Sequence, residues 1–336
     1  MNNQWFHKIF AVTDIDFEQL ALEVFRFQYL HNSIYKAYAD IFNIDFERIN
    51  TLSRIPFLPI QFFKSHSVRT TDFEPEIIFE SSGTSGTINS HHFVKNIELY
   101  KQSFLKGFEL FYGPLKEWCI IGLLPSYLER ENSSLIFMVD EFIQKSQHSE
   151  SGFYLYEYEK LYQSLKQLEA DKQKTLLIGV SFALLDFAEQ FSLPLENTIV
   201  METGGMKGRK EEIVRRELHD ILKTRFHVNA IHSEYGMTEL LSQAYSQGDG
   251  IFHCPPWMKV LIRDEEDPLS IESGIQNSES EMFKARGAIN IIDLADIYSC
   301  SFIATDDAGA VFPDGSFELL GRIDNSDIRG CSLMAL

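Results

Sequence analysis

Apolar residues recur along the first part of the chain at two spacings, one typical of amphipathic helices and one typical of buried strands. Phe17, Leu20, Val24 and Phe25 follow the helical spacing and predict a packing element. A segment with two prolines at 55–64 interrupts any helix. The pattern predicts helices at 14–43 and 96–111, strands at 76–80 and 117–124, and a polar loop at 126–134.

Short apolar runs and amphipathic segments alternate from residue 160 onward, which predicts a parallel sheet covered by helices. Ligands of such sheets bind beyond the carboxyl ends of the strands. Glycines, hydroxyls, an aromatic ring and carboxylates follow these ends at 181–182, 202–205 and 232–239, so we expect a ligand site there. The predicted elements are helices at 161–168, 182–191 and 210–226, and strands at 175–180, 198–201 and 228–231.

Residues after Gly250 are less regular and contain β-forming segments, which predicts a small β-rich subdomain. Short strands are expected at 288–292 and 300–304. Residues 309–320 predict a hairpin whose turn lies at 313–315.

The composition narrows the possible partners and compartments. The 336 residues carry a formal net charge of −19, which argues against nucleic acid as a partner and is typical of a cytoplasmic protein. We expect no membrane span, because the apolar runs are far shorter than a bilayer. We expect no signal peptide, because the N-terminus has no charged-then-apolar segment with a cleavage site. The four cysteines form no C-x-x-C pair, so we expect reduced thiols without zinc. Most of the 28 phenylalanines are expected in the core, and some could line an apolar substrate pocket.

Every residue of the stretch Ser81-Ser82-Gly83-Thr84-Ser85-Gly86-Thr87 is a glycine or carries a hydroxyl group. Glycines let the backbone approach a ligand closely, and the amides of such a loop can converge on an anion. The stretch therefore fits a polyphosphate, although no lysine follows it as in a Walker loop. A surface turn is the alternative that the stretch alone leaves open. Nearby, His91 and His92 would point to opposite faces of a strand, so they cannot both serve one site.

Three later stretches follow this loop in an order that resembles the core motifs of adenylate-forming enzymes, such as acyl-CoA ligases and luciferase. They are Tyr235-Gly236-Met237-Thr238-Glu239, Thr305-Asp306-Asp307 and Gly321-Arg322-Ile323-Asp324. The resemblance implies an α/β fold, the large N-terminal domain of these enzymes, with mostly parallel sheets layered with helices and a small β-rich subdomain. It also implies a core domain at 1–320 and a hinge-like C-terminal tail at 321–336, with the C-terminal lid domain absent.

The resemblance further implies that ATP and Mg²⁺ are cofactors, and it assigns roles around adenine and the phosphates. The loop 81–87 would bind phosphates, and Gly204 and Gly205 would lie beside the adenine. Tyr235 would stack on the adenine ring, with Gly236 as the next residue of the nucleotide site.

The remaining implied roles concern the α-phosphate, the metal and the ribose. Thr238 would contact the α-phosphate, and Glu239 would hold Mg²⁺. Asp307, rather than Asp306, would bind the ribose hydroxyls, and Arg322 would reach the nucleotide.

One branch of these enzymes resembles the chain more than the others. The segment 55–64, the pair Ser81-Ser82 and the string 232–239 are similar to those of LuxE-type acyl-protein synthetases. Those enzymes activate a fatty acid as acyl-AMP and pass the acyl group to a cysteine near their own C-terminus. The resemblance implies that Cys331 is this acyl-accepting cysteine and that the small-molecule substrate is a carboxylic acid, namely a fatty acid. It also implies a partner protein that accepts or reduces the acyl group. An unreactive tail cysteine is the alternative.

Two features depart from the superfamily pattern. Ser90-His91-His92 stands where Pro-Lys usually trails the phosphate loop, and the chain ends before the lysine that stabilises the adenylation transition state in most members. Three functions therefore stay open. They are acyl transfer to a protein thiol, acyl transfer to CoA or a carrier-protein phosphopantetheine, and nucleotide binding by a partner subunit without turnover.

Overall fold

The computed structural model describes residues 3–43, 45–81, 88–125, 132–204, 214–264, 271 and 285–323. The chain folds into two compact units, one formed by residues 1–74 and 256–336 and the other by residues 75–255. Both combine helices with a sheet, so the predicted α/β class is confirmed. No helix within the described ranges is long and apolar enough to cross a bilayer.

The N-terminal part of the first unit is mainly helical. Asn32 splits the helix predicted at 14–43, because its backbone is extended and its side chain accepts a hydrogen bond from the Tyr35 amide at 2.9 Å. The elements are α1 (Asn3–Phe10), α2 (Phe17–His31), α3 (Ser33–Asp40), β1 (Leu58–Pro59) and α4 (Phe62–Ser65).

The second unit starts with an antiparallel hairpin and continues as alternating strands and helices. Its first elements are β2 (Ile77–Glu80), β3 (His91–Val94), α5 (Ile97–Tyr112), β4 (Cys119–Leu123), α6 (Ser134–Ser146) and β5 (Gly152–Phe153). They are followed by α7 (Tyr158–Ala170), β6 (Thr175–Val180), α8 (Ser181–Gln190), β7 (Thr198–Thr203), α9 (Arg215–Phe226), β8 (His232–Tyr235), β9 (Ala244–Ser246) and β10 (Ile251–His253).

The main sheet of the second unit runs in the order β5-β4-β6-β7-β8-β9-β10. Strands β5, β4, β6, β7 and β8 are parallel, whereas β9 and β10 pair antiparallel to their neighbours. The predicted parallel sheet is therefore confirmed. The carboxyl ends of β6, β7 and β8 lie side by side at one edge.

Sequence predictions in this unit differ from the structure at three places. The strand expected at 228–231 lies at 232–235, and its last three residues are buried although two of them are polar. Residues 126–131 of the loop expected at 126–134 lie outside the described residues, and Ser134 begins an unpredicted helix, α6, whose first turn is capped by the Ser133 hydroxyl. Helix α9 begins at Arg215, because the backbone of Val214 is extended.

The remaining strands of the first unit form an antiparallel sheet, with β1 added in parallel to its third strand. They are β11 (Met258–Arg263), β12 (Ala285–Asp293), β13 (Phe302–Val311) and β14 (Phe317–Arg322). The hairpin predicted at 309–320 is confirmed, and Gly315 supplies the positive φ of its turn, +87°. Strand β14 includes the first two residues of the predicted tail 321–336. Residues 324–336 lie outside the described residues, so the domain boundary stays a prediction.

Aromatic side chains fill the core of each unit. In the first unit, the ring of Phe302 lies 6.1 Å from Phe25 and 6.0 Å from Tyr35, centroid to centroid. In the second unit, the ring centroids of Phe79 and Tyr100 lie 5.3 Å apart. The Tyr100 ring in turn packs against the phenylalanines between α5 and α6. Core packing thus accounts for many of the phenylalanines.

Candidate active site

The hairpin β2–β3 carries the stem of the glycine and hydroxyl loop. The Ser81 amide donates to the Ser90 carbonyl at 3.1 Å, and the Ser90 amide donates to the Ser81 hydroxyl at 2.8 Å. These two bonds close the loop at its base. Ser82, Gly83, Thr84, Ser85, Gly86 and Thr87 lie outside the described residues, so their phosphate-binding role stays a prediction.

The end of β7 is fixed by a side chain from the start of α8. Gly204 follows β7 in the left-handed region, at φ +69°. Its carbonyl accepts a hydrogen bond from the buried Ser181 hydroxyl at 3.0 Å. Gly205, predicted to lie beside the adenine, is outside the described residues.

Glu202 is a buried carboxylate that joins four elements at this edge of the sheet. Its Oε1 accepts hydrogen bonds from Arg215 Nε at 2.9 Å, from Ser233 Oγ at 3.1 Å and from His219 Nε2 at 3.3 Å. Its Oε2 accepts from Ser181 Oγ at 2.9 Å. Burial alone would raise the pKa of Glu202, but the bond from His219 and the charge of Arg215 outweigh it and lower that pKa. The carboxylate therefore stays charged and holds α9 to the strand ends.

A second buried carboxyl group, on Glu234, lies against the glycine of the Tyr-Gly-Met-Thr-Glu motif. The Thr203 hydroxyl donates to Glu234 Oε2 at 2.5 Å. A Cβ atom on Gly236 would lie 2.5 Å from Glu234 Oε1, so a side chain there would displace the Glu234 carboxyl group. Burial raises the pKa of Glu234 to about 7, although the Thr203 bond opposes the rise and the charge of Glu202 adds to it.

Tyr235 and Glu239, the first and last residues of the motif, are also buried, whereas Gly236 is exposed and Met237 and Thr238 are half-buried. Tyr235 ends β8, is 8% exposed, and packs edge-on against Phe252 with their ring centroids 6.0 Å apart. The Arg215 guanidinium lies 5.4 Å from the centroid of the same Phe252 ring. Glu239 is 5% exposed. The Thr238 carbonyl accepts a hydrogen bond from His92 Nδ1 at 2.8 Å, which links the motif to β3.

The first unit holds the predicted ribose ligand on β13. Asp307 faces Arg322 across the β13–β14 pair, with Arg322 Nε 3.7 Å from Asp307 Oδ1. The Arg322 side chain is 78% exposed, which leaves its charge accessible. Thr305 fixes the backbone here, since its Oγ1 accepts from the Asp307 amide at 3.2 Å and donates to the Ile289 carbonyl at 2.9 Å.

Asp306, the residue not chosen for the ribose, is already engaged. Its Oδ1 accepts a hydrogen bond from Gln61 Nε2 at 2.5 Å, and its carbonyl accepts from the Ile323 amide at 2.7 Å. The preference for Asp307 stays a prediction, and this geometry is compatible with it.

The structure brings one group of predicted residues together and leaves others outside its description. Gly204 lies at the end of β7, and Tyr235, Gly236, Thr238 and Glu239 lie at or just beyond the end of the adjacent β8. Cys331 is outside the described residues, as are most of loop 81–87 and Gly205.

Sequence reasoning missed the side chains that support this motif. Arg215 and His219 both reach Glu202, and their spacing of four residues on a predicted helix is a signal that could have indicated a shared partner. His92 was not assigned to the site, because the chain order alone places it far from Thr238.

Glu239 is the side chain of the motif that suits Mg²⁺. Among the described residues, no three His, Cys, Asp or Glu side chains cluster as a metal site. Mg²⁺ needs no such cluster, because it commonly binds one or two carboxylates together with waters and substrate phosphates. The buried carboxyl group of Glu239, next in sequence to the hydroxyl of Thr238, fits that kind of site.

Two solved structures show the fold that this chain shares. A 2-hydroxyisobutyryl-CoA ligase in complex with 2-HIB-AMP and CoA has a TM-score of 0.66 and 10% identity, covering 95% of this chain and 71% of that one. ATP-bound MatB from Rhodopseudomonas palustris has a TM-score of 0.53 and 16% identity, covering 73% of this chain and 47% of that one. The chain thus spans about half the length of MatB. These likenesses confirm the adenylate-forming fold predicted from the motifs.

Comparisons of the sequence with known proteins bear on the family of this chain as well as on its fold. A comparison with curated proteins found no match. The family model described as "Acyl-protein synthetase, LuxE" matches residues 13–335. That range leaves out only residues 1–12 and 336, and it includes every motif considered above. The chain therefore belongs to the LuxE acyl-protein synthetase family.

Proposed function

We propose that the chain uses ATP to activate a carboxylic acid, a fatty acid in our account, as acyl-AMP and then transfers the acyl group to a protein thiol. The observation that carries the proposal is the turn 236–239 at the end of β8, supported by Glu234 and His92 in a chain of the LuxE family. The two ligase structures were solved with ATP or with an acyl-AMP and CoA, which supports the same chemistry here.

The proposed nucleotide ligands in the second unit follow the strand ends. The loop 81–87 binds the phosphates, Gly204 and Gly205 lie beside the adenine, and Tyr235 stacks on it. Gly236 keeps the backbone beside Tyr235 free of a side chain.

The other proposed ligands act on the ribose and the phosphates. Asp307 binds the ribose hydroxyls, and the exposed Arg322 reaches the nucleotide. Thr238 contacts the α-phosphate, and Glu239 holds Mg²⁺.

Adenylation in this proposal is an attack of a carboxylate oxygen on the α-phosphorus of ATP. The bond from that phosphorus to the oxygen bridging the β-phosphate breaks, and pyrophosphate leaves. Negative charge grows on the α-phosphate oxygens, where amides and hydroxyls of loop 81–87 stabilise it. Glu239 would hold Mg²⁺, which when bound would supply further positive charge to the phosphates.

Acyl transfer requires a thiolate. The Cys331 thiolate attacks the carbonyl carbon of acyl-AMP, the bond to the phosphate oxygen breaks, AMP leaves and a thioester forms. Two other cysteines are poor candidates, because burial raises the pKa of Cys119 to about 11 and raises that of Cys300 as well. The reduced thiol also favours a cytoplasmic location.

A labelling experiment tests the transfer step. With radiolabelled fatty acid and ATP, Cys331→Ser should abolish hydroxylamine-sensitive protein labelling and leave pyrophosphate exchange intact. Cys254→Ser, a half-buried cysteine of the second unit, is the matched control and should label like the wild type. Labelling that survives Cys331→Ser would eliminate self-acylation at this residue.

CoA is the alternative acceptor that the neighbouring ligase structure favours. Formation of acyl-CoA by the Cys331→Ser variant would assign the transfer step to CoA. In the main proposal, the acyl group instead passes from Cys331 to a partner protein that accepts or reduces it.

A further inference from the structure

The hairpin β2–β3 is buried on one face, and a polar ring lies within that face. Phe79 pairs with His92 across the hairpin, and Phe79, His92 and Val94 are all at most 2% exposed. His91, which points the other way, is only half-buried. An imidazole in such a position requires a hydrogen-bond partner, because burying an unpaired polar group is costly.

One partner of His92 is the backbone of Thr238. His92 Nδ1 lies 2.8 Å from the Thr238 carbonyl oxygen, a residue 146 positions away in sequence. A carbonyl oxygen can only accept, so Nδ1 carries the proton and donates it. The ring thereby connects two segments that no local sequence pattern relates.

Those two segments carry the proposed phosphate ligands. His92 lies two residues after Ser90, whose two bonds with Ser81 close the phosphate loop at its base. On the other side, the Leu240 amide donates to the Met237 carbonyl at 3.1 Å and closes the turn that contains Thr238 and Glu239. If one triphosphate binds both at the loop and at the turn, the distance between the loop stem and the turn must be fixed.

We propose that His92 is a positioning residue, whose Nδ1–H holds the turn at 237–240 against the β2–β3 hairpin so that loop and turn bind one nucleotide as a unit. The inference rests on the proposed function, since it takes ATP as the ligand. His92 acts on the nucleotide through Thr238 and the loop stem.

The pair His92→Asn and His92→Gln tests the geometry of this bond. The amide nitrogen of Asn stands where Nδ1 stands, whereas that of Gln stands one bond further out, where Nε2 stands. We expect His92→Asn to keep the Kd for ATP within about twofold and His92→Gln to raise it about three- to tenfold, the effect of one hydrogen bond. Isothermal titration with ATP and Mg²⁺ measures both, and His91→Gln is the matched control that should bind like the wild type.

A second readout does not depend on ATP. Hydrogen exchange at the Leu240 amide should be faster in His92→Gln than in His92→Asn. If His92→Gln does not fold, imidazole ¹⁵N shifts of the wild type replace it, with a protonated Nδ1 as the expected result.

Four outcomes would overturn the inference. They are equal ATP affinities for the two His92 variants, a loss in His91→Gln as large as in His92→Gln, equal Leu240 exchange rates, and an unprotonated Nδ1. If the wild type does not bind ATP, the proposed function fails, and the exchange rates alone decide whether His92 holds the turn.

Discussion

The glycine at position 236 of the Tyr-Gly-Met-Thr-Glu motif has a direct steric explanation. A Cβ atom there would meet Glu234 Oε1 at 2.5 Å and Gln243 Cγ at 3.4 Å. Since Thr203 holds the Glu234 carboxyl group in place, the carboxyl group cannot retreat without losing that bond. The glycine is therefore required by packing as well as by any ligand.

We expect Gly236→Ala to lower the free energy of unfolding by about 1–3 kcal/mol, the usual cost of overpacking, because the added Cβ displaces the buried carboxyl group of Glu234. Urea denaturation measures it. Gly152→Ala is the matched control, since a Cβ atom on Gly152 has nothing within 4 Å and should change stability by less than about 0.5 kcal/mol. Equal stabilities for the two variants would contradict the packing of Glu234 against Gly236.

Glu234 makes stability depend on pH. Its pKa of about 7 in the folded chain lies above the ordinary value of 4.5, so the folded chain retains a proton that the unfolded chain releases. The contribution of Glu234 to the free energy of unfolding therefore falls as pH rises from about 4.5 to 7. Above pH 7 this contribution no longer changes. Glu202 on β7, Tyr100 on α5 and Tyr245 on β9 are the titratable groups that interact with it.

Glu234→Gln should remove this pH dependence, because a neutral amide can still accept the Thr203 hydroxyl bond. The stability of the variant relative to the wild type should rise by about 2–3 kcal/mol between pH 5 and pH 8. Groups common to both proteins cancel in this difference. Glu109→Gln, an exposed residue on α5, should follow the wild-type curve. A parallel curve for Glu234→Gln would mean that Glu234 is ionised throughout.

At the scale of elements, strands were predicted where their own residues are apolar and missed where they are not. The continuous apolar run at 175–180 predicted β6 correctly. Strand β8 reads His-Ser-Glu-Tyr, and its polar groups are buried because distant residues satisfy them, such as Glu202 for Ser233 and Thr203 for Glu234. A pattern of hydrophobicity along one segment contains no information about such partners.

Helix α9 is held to the sheet through charge as well as apolar packing. Arg215 donates to the buried Glu202, and removing it leaves that carboxylate with fewer compensating bonds. We expect Arg215→Leu to lower the free energy of unfolding by about 1–3 kcal/mol at pH 7. The adjacent Arg216→Leu changes an exposed arginine and should stay within about 0.5 kcal/mol. Equal losses in guanidinium denaturation would mean that Arg215 contributes only general charge.

At the scale of the whole molecule, the order of short motifs along the chain predicted more of the fold and family than the spacing of apolar residues did. The adenylate-forming fold and the LuxE family follow from motifs distributed over both units, and both are confirmed. His92 was not predictable in this way, because it contacts Thr238, a residue 146 positions away in sequence. Arg215 and His219 contact Glu202 over 13 and 17 positions, and only their spacing on the predicted helix indicates a shared partner. The acyl acceptor remains a proposal, since Cys331 lies outside the described residues.

The central claim is that this chain itself forms an acyl-adenylate. The most direct measurement is carboxylate-dependent exchange of labelled pyrophosphate into ATP, across fatty and aromatic acids, for the wild type, Glu239→Gln and the control Glu109→Gln. We predict exchange with fatty acids, a loss of about 100-fold in Glu239→Gln, and wild-type rates in the control. ATP binding without exchange for any acid would contradict the claim and indicate a nucleotide-binding subunit without turnover.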